Sequence, residues 1–184
     1  MKNKLRKINK GIVLLFLLVV MVGTIGFIDT VKFSARKEDA RQKAESFVTE
    51  LSAFYVWPKD MPNVDVVEFE KNEKKYLPYF DSAYAKVKPH VYDSKVLKEE
   101  LRESAVDTVR RMLVNEIKPD KATLTPQFEK TLINKDTATV KGSVTLKASG
   151  TGGKTYNRSC NCQVHLEYYN EQWVVVGMLL EDEL

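Results

Sequence analysis

Residues 148–169 read ASGTGGKTYNRSCNCQVHLEYY, and the reading of this stretch separates two folds. Its first eight residues, Ala148–Thr155, fit a relaxed phosphate-loop pattern: a small residue, four of any kind, then Gly-Lys-Thr. A true phosphate loop joins a buried parallel strand to a helix. The helix N-terminus cradles the phosphates, and Lys and Ser/Thr reach phosphate and magnesium. No helix pattern follows here. Cys160, Cys162, Val164, Leu166 and Tyr168 alternate with polar residues, which is the two-residue period of a strand. The preceding run alternates too, Ala138, Val140, Gly142, Val144 and Leu146 against Thr and Lys, as a half-exposed strand does. The glycine-rich loop therefore joins two antiparallel strands. No strand ending in a magnesium-binding Asp appears elsewhere, so Ala148–Thr155 is a false match and no nucleotide or other cofactor is expected.

Strands continue on both sides of this hairpin. After Pro126 the period changes from near 3.6 to 2: Phe128 and Leu132 alternate with charged or polar residues, and Asn134-Lys135 makes a turn. Asn170-Glu171 makes a second tight turn. The closing run from Trp173 to Leu180 is apolar on both faces, which suggests a central or covered strand. The sheet is thus expected over roughly 127–180.

Toward the N-terminus the pattern is helical. Asp29 and Thr30 cap a helix running toward Trp57, with Ala40, Ala44, Phe47, Val48, Leu51, Phe54 and Tyr55 at three- and four-residue intervals. Pro58 and Pro62 break it, 58–70 reads as a polar connection, and 71–86 as a short helical piece interrupted at Pro78. Ser94 caps a second long helix to Ile117, striped by Leu97, Leu101, Ala105, Val109, Met112 and Leu113, and Pro119 stops it. Helices first and an antiparallel meander last make an α+β domain.

The charge balance is uneven. The chain carries 29 Lys and Arg against 25 Asp and Glu, but five of the basic residues lie in the first ten, MKNKLRKINK; the remainder holds 24 against 25. A nucleic-acid binder needs a basic face, and none is indicated, so no direct nucleic-acid binding is expected. Residues 11–28, GIVLLFLLVVMVGTIGFI, contain no charge. As a helix they span about 27 Å, close to the hydrocarbon thickness of a bilayer. The run exceeds the usual apolar core of a signal peptide and no clear cleavage site follows it. It is expected to be an uncleaved anchor in contact with the bilayer, with 1–10 as a cytoplasmic basic tail. Residues 29–184 are then an extracytoplasmic domain at the cell membrane.

The chemistry-bearing side chains are few. Cys160 and Cys162 point to the same side of a strand, where their Cβ atoms stand roughly 6.5–7 Å apart, too far for a disulfide without a bulge. Two small buried hydrophobes is the favoured reading, and an oxidised pair beside the glycine loop is the alternative. A zinc site would need further ligands, and only His90 is at hand; no metal is expected. His165 falls on the opposite face with Gln163 and Glu167, as a sheet-surface histidine. Tyr76, Tyr79, Phe80 and Tyr84 read as core packing or a lid around Pro78. Glu99, Glu100, Glu103 and Asp107 lie on the solvated side of the second helix, and no catalytic residue is expected among them.

This layout resembles the nuclear-transport-factor-2-like (cystatin-like) roll, in which helices pack on one side of a curved antiparallel sheet. The residues carrying the resemblance are YYNEQWVVVGMLL, a last hairpin with a polar turn, a Trp and an apolar strand. AESFVTELSAFYVW followed by EKNEKKYLPYF more narrowly resembles the small bitopic components of conjugative type IV secretion machines. The resemblance implies a non-catalytic scaffold whose partners are other subunits of a membrane assembly and further copies of itself. The same roll hosts ketosteroid-isomerase-type enzymes and ligand binders, which need a buried Tyr with Asp or Glu in an open cone. A pseudopilin is a third alternative, prompted by Lys10-Gly11, but Phe16 stands where that family has Glu. In the scaffold reading, Phe47, Leu51 and Phe54 pack on the sheet.

Overall fold

The computed structural model describes residues 32–92, 95–150 and 152–181. The expected anchor 11–28 and the expected caps Asp29, Thr30 and Ser94 lie outside them. The chain divides into two units, 1–38 and 39–184, and the second holds the sheet and its helices.

Residues 32–50 are helical (α1, of which 39–50 belong to this unit), and a 3-10 turn continues it over Leu51–Tyr55. Trp57 lies beyond that turn and donates its N–H to Pro119 O at 2.7 Å, so the chain has already left the helix. The stretch expected as polar connection contains a helix, α2 (Val66–Lys71). Its cap is Asp65, whose side chain accepts from the Glu68 N–H at 2.8 Å. The Asp-x-x-Glu spacing that announces such a start was present in the sequence. Two short helices follow, α3 (Glu73–Tyr76) and α4 (Asp81–Val87). Between them Pro78 sits in the first turn of a 3-10 segment, where its missing N–H costs nothing.

The long helix α5 (Lys95–Val114) buries all six residues of the expected stripe. It ends before Ile117, and not at Pro119. Glu116 adopts φ 56°, the Glu116 N–H bonds Leu113 O at 2.8 Å, and the Ile117 N–H bonds Met112 O at 2.8 Å. This is a Schellman ending, with Ile117 buried behind it.

Four strands, β1 (Pro119–Asn134), β2 (Thr137–Gly150), β3 (Thr155–Tyr169) and β4 (Gln172–Leu180), form an antiparallel meander in the order β1-β2-β3-β4. The sheet begins at Pro119, upstream of the expected 127, because Pro126 lies within β1. Leu124, two residues before it, turns its N–H away from β2 to Ser52 Oγ at 2.9 Å. Pro126 shares that outward orientation, so its lost donor costs no ladder bond.

Leu132 is a correction: it is 45 % exposed while Phe128 is buried. The β1–β2 register shifts between Phe128 and Lys130, and one extra residue reverses which face the later side chains take. Thr131 is buried in the place expected for Leu132. Opposite the shift lies Gly142, paired with Phe128. A Cβ there would run into Gln127 O and come within 2.7 Å of Phe128 Cα.

The last strand is also corrected. β4 is an edge strand, not a central one, and Leu179 is exposed. Val91 bridges Val175, and the Tyr92 N–H bonds Val175 O at 3.0 Å, so only its first half is covered from that side.

One face of the sheet carries the core. Val140, Val144, Leu146, Val164, Leu166 and Val175 join Phe47, Leu51, Phe54 and the α5 stripe in a single cluster of buried residues. The other face is polar, with Thr145 Oγ1 and Ser159 Oγ at 2.8 Å. A half-covered antiparallel sheet accounts for the alternation read from the sequence.

Candidate functional site

Ala148–Gly150 end β2, and Lys154 leads into β3, which begins at Thr155. Gly152 and Gly153 have φ of 87° and 76°, so the turn itself requires glycine. The Gly150 N–H bonds Lys154 O at 3.1 Å. Lys154, the lysine of the apparent phosphate motif, forms an ion pair with Glu116. Thr155 begins a strand, so no helix N-terminus stands behind this loop.

The space between the helices and the sheet face they cover is where a ligand or a reaction would be housed. Tyr55, from the 3-10 turn after α1, is buried and hydrogen-bonds Ser104 of α5. Cys160 and Cys162 are close enough to it to act on its ionisation. Burial pushes the Tyr55 phenol up to about 12, with the hydrogen bond to Ser104 acting the other way and the two thiols adding to the rise. The Cys162 thiol is likewise pushed up to about 12 by burial and then by Cys160. The Tyr55 phenol and the Cys162 thiol therefore hold their protons at neutral pH. The buried polar residues among those described are Thr108 and Thr131, with no Asp or Glu in the core.

Neither cysteine forms a disulfide in this structure, and both are buried. They face Val144 and Gly142 on β2 with no register shift between them. An oxidised pair would need a bulge at this point of β3. His165 places Nδ1 3.3 Å from Thr139 Oγ1 on the polar face. His90 sits elsewhere, its Nε2 3.1 Å from Glu50 Oε2. Among the described residues no group of three or more His, Cys, Asp or Glu side chains could hold a metal ion.

The aromatic residues near Pro78 pack as a chain through the helical layer. Phe69 stacks on Tyr76 at 5.5 Å, Trp57 lies 6.4 Å from Phe69, and Tyr79 lies 6.4 Å from Tyr76. Phe80 and Tyr84 are buried as well. The α5 carboxylates serve its arginines: Glu99 binds Arg102 and Asp107 binds Arg110, each at 2.8 Å. Arg102 also reaches Asp81 and Arg110 reaches Glu73, tying α5 to α4 and α3.

Sequence reasoning missed one recess. Val56, Trp57, Pro58, Pro78 and Tyr79 line a groove of about 590 Å³, with Lys59, Asp60 and Lys86 along it. The Trp-Pro and Pro-Tyr dipeptides that build its walls lie 20 residues apart, and only the packing of α4 against the Leu51–Tyr55 turn brings them together.

No family model matches the chain, and none of the curated proteins matches it. Solved structures do. The domain is similar to nuclear-transport-factor-2-like proteins. CagV from Helicobacter pylori, described as a VirB8 homolog of a type IV secretion system, is 11% identical over 77% of this chain and 98% of that one, with a TM-score of 0.44. An Ntf2-like protein involved in plasmid conjugation is 11% identical over 78% of this chain and 49% of that one, with a TM-score of 0.38. An NTF-2 like protein of unknown function from Shewanella oneidensis is 11% identical over 66% of this chain and all of that one, with a TM-score of 0.36. At these TM-scores none of the likenesses carries a functional reading.

Proposed function

We propose that the protein is a membrane-anchored, non-catalytic structural component of a bacterial cell-envelope assembly, of the conjugation or type IV secretion kind. The observation that carries this reading is the filled core. The sheet face that would line an isomerase cone is covered by Phe47, Leu51, Phe54 and the α5 stripe. Tyr55, buried beneath that face, neighbours Ser104 and two cysteines, and Tyr76, buried in the helical layer, donates its hydroxyl to Glu68 at 3.3 Å, a carboxylate that is exposed to solvent. A general acid or base of the isomerase kind needs a desolvated carboxylate with a raised pKa. Glu116 and Glu181 are both held below the usual range by hydrogen bonds, Glu116 with Lys154 and Glu181 with Gln163 and Asn161.

The uncharged run 11–28 and the basic decapeptide before it support the anchor and its orientation. Residues 11–28 lie outside the described residues, and among those described no helix is long and apolar enough to cross a membrane. The partners in this reading are other subunits of the machine and further copies of the same chain.

The test is cross-linking of the tagged full-length protein in its own membrane, followed by mass spectrometry. Recovery of secretion-channel or coupling-ATPase subunits is the expected result. Recovery alone, or with a bound lipid or small molecule, removes the secretion assignment and directs attention to the core and the Trp57–Tyr79 groove. Protease added to right-side-out cells should digest the domain and leave the first ten residues protected.

A further inference from the structure

Three cations of α5 are paired within the helical layer, Lys98 and Arg102 with Asp81 and Arg110 with Glu73 and Asp107. The charges bordering the Trp57–Tyr79 groove are not. Among the described residues Lys59, Asp60 and Lys86 form no ion pair, with one another or with any neighbour, and all three are exposed. The walls between them are equally unanswered. Trp57 and Tyr79 are half-buried. Neither the indole N–H nor the phenol hydroxyl has a hydrogen-bond partner among the described residues.

These walls are held from behind. The Trp57 backbone N–H is fixed on Pro119 O at 2.7 Å, and its ring lies 6.4 Å from Phe69 and 5.6 Å from the Lys118 ammonium. Tyr79 leans on Tyr76 at 6.4 Å, and Pro58 and Pro78 each lock their own backbone. The groove is thus preformed, and its volume of about 590 Å³ is that of an ordinary ligand recess. Its chemistry selects among three kinds of chain. A strand finds no backbone N–H to pair with at Pro58 or Pro78. A helix spends its carbonyls internally and would cover the indole N–H and the phenol hydroxyl without offering them a backbone acceptor. A polyproline II segment makes no internal hydrogen bonds. Its carbonyls are free to accept from both groups, and its proline rings pack on aromatic faces.

We propose that the groove seats a short polyproline II segment of a partner protein, with proline at its centre and a carboxylate at its Lys86 end. Charge decides the second half of that statement. Lys59 has Asp60 as its chain neighbour, which offsets it, whereas Lys86 shares its wall with the uncharged Ser82 and Ala83 of α4. The Lys86 end is therefore the more positive. An acidic residue there adds little affinity at an exposed site, but it fixes the direction in which the segment lies and disfavours basic competitors. The inference deepens the structural role proposed above, and it rests on that reading for the source of the segment.

Full-length Trp173→Phe in detergent leaves Trp57 as the single tryptophan, so its fluorescence reports on the groove. The peptide Glu-Pro-Pro-Leu-Pro-Pro-Glu should change that fluorescence saturably, and at least tenfold more tightly than the same peptide with alanine for every proline. Adding Lys86→Glu, an exposed and unpaired site, should weaken this binding at least fivefold and make the Lys-flanked peptide the tighter ligand. No saturable change, an equal response to the proline and alanine peptides, or indifference to Lys86→Glu would each overturn the proposal. Tighter binding of decanoate than of the peptide would overturn it too, and make the groove an acyl-chain site. A second measurement needs neither the variants nor the peptide. A benzophenone amino acid in place of Ser82, irradiated in the full-length protein in its own membrane, should attach to a segment that contains proline and an acidic residue. Attachment to lipid, to a proline-free segment or to a second copy of this chain would overturn the proposal. Recovery of secretion subunits without attachment from residue 82 would overturn it and leave the functional reading intact. An acidic, proline-bearing segment from a protein outside any secretion machine would do the reverse.

Discussion

Tyr55 is far in sequence from Cys160 and Cys162 and meets them in the core, and the protons of Tyr55 and Cys162 report that burial. Both Tyr55 and Cys162 have pKa values raised in the folded state, from 10.0 and 9.0 to about 12. The folded chain therefore holds these protons more tightly than the unfolded chain does. The stability linked to them is complete below pH 9 and is lost as pH rises through about 12. The melting temperature should be flat from pH 7 to 9 and fall above it. Tyr55→Phe should make that fall shallower between pH 10 and 12 while lowering the starting value through the orphaned Ser104. An identical slope in the variant would disprove the assignment. The same burial predicts thiol behaviour. In native protein at pH 8 an aromatic disulfide reagent should modify neither cysteine within the time it takes to modify both in denaturant.

At the scale of elements, two positions set the geometry of the sheet. Gly142 lies against the β1 bulge, and alanine there has no room beside Gln127 O. Gly142→Ala should cost about 3 kcal/mol, read as a Tm lower by roughly 10 °C. A shift under 2 °C would mean the bulge relaxes freely. The β3–β4 turn has the opposite character. Asn170 and Glu171 both take positive φ, 48° and 63°, which matches a type I′ hairpin, where Asn-Gly is preferred. Glu171→Gly should raise stability by about 1 kcal/mol, because the left-handed strain at Glu171 is removed at an exposed site; urea denaturation measures it, and a lowered midpoint would contradict the turn assignment.

For the whole molecule, the helices and the sheet share one buried cluster, so unit 39–184 should unfold in a single step. The chain's two tryptophans sit on opposite layers, Trp57 after the first helix and Trp173 on β4. Single-tryptophan variants Trp57→Phe and Trp173→Phe should give superimposable urea transitions once each is scaled to its own midpoint by circular dichroism. Separate transitions would mean that the layers are independent. Features that depend on near neighbours are legible in the chain before it folds: the uncharged run, the α5 stripe, the alternation of β2 and β3, and the turn at Asn170-Glu171. Periodicity and turn chemistry are written within a few residues, so they survive without knowledge of the fold. Three features had to wait for the tertiary structure: the exposure of Leu132, the edge position of β4, and the meeting of Tyr55 with Cys160 and Cys162. The first follows from a bulge that reverses every later side chain in β1. The second follows from which strand pairs with which, a long-range choice that an apolar run such as VVVGMLL leaves open, and the third from the packing of the Leu51–Tyr55 turn against β3.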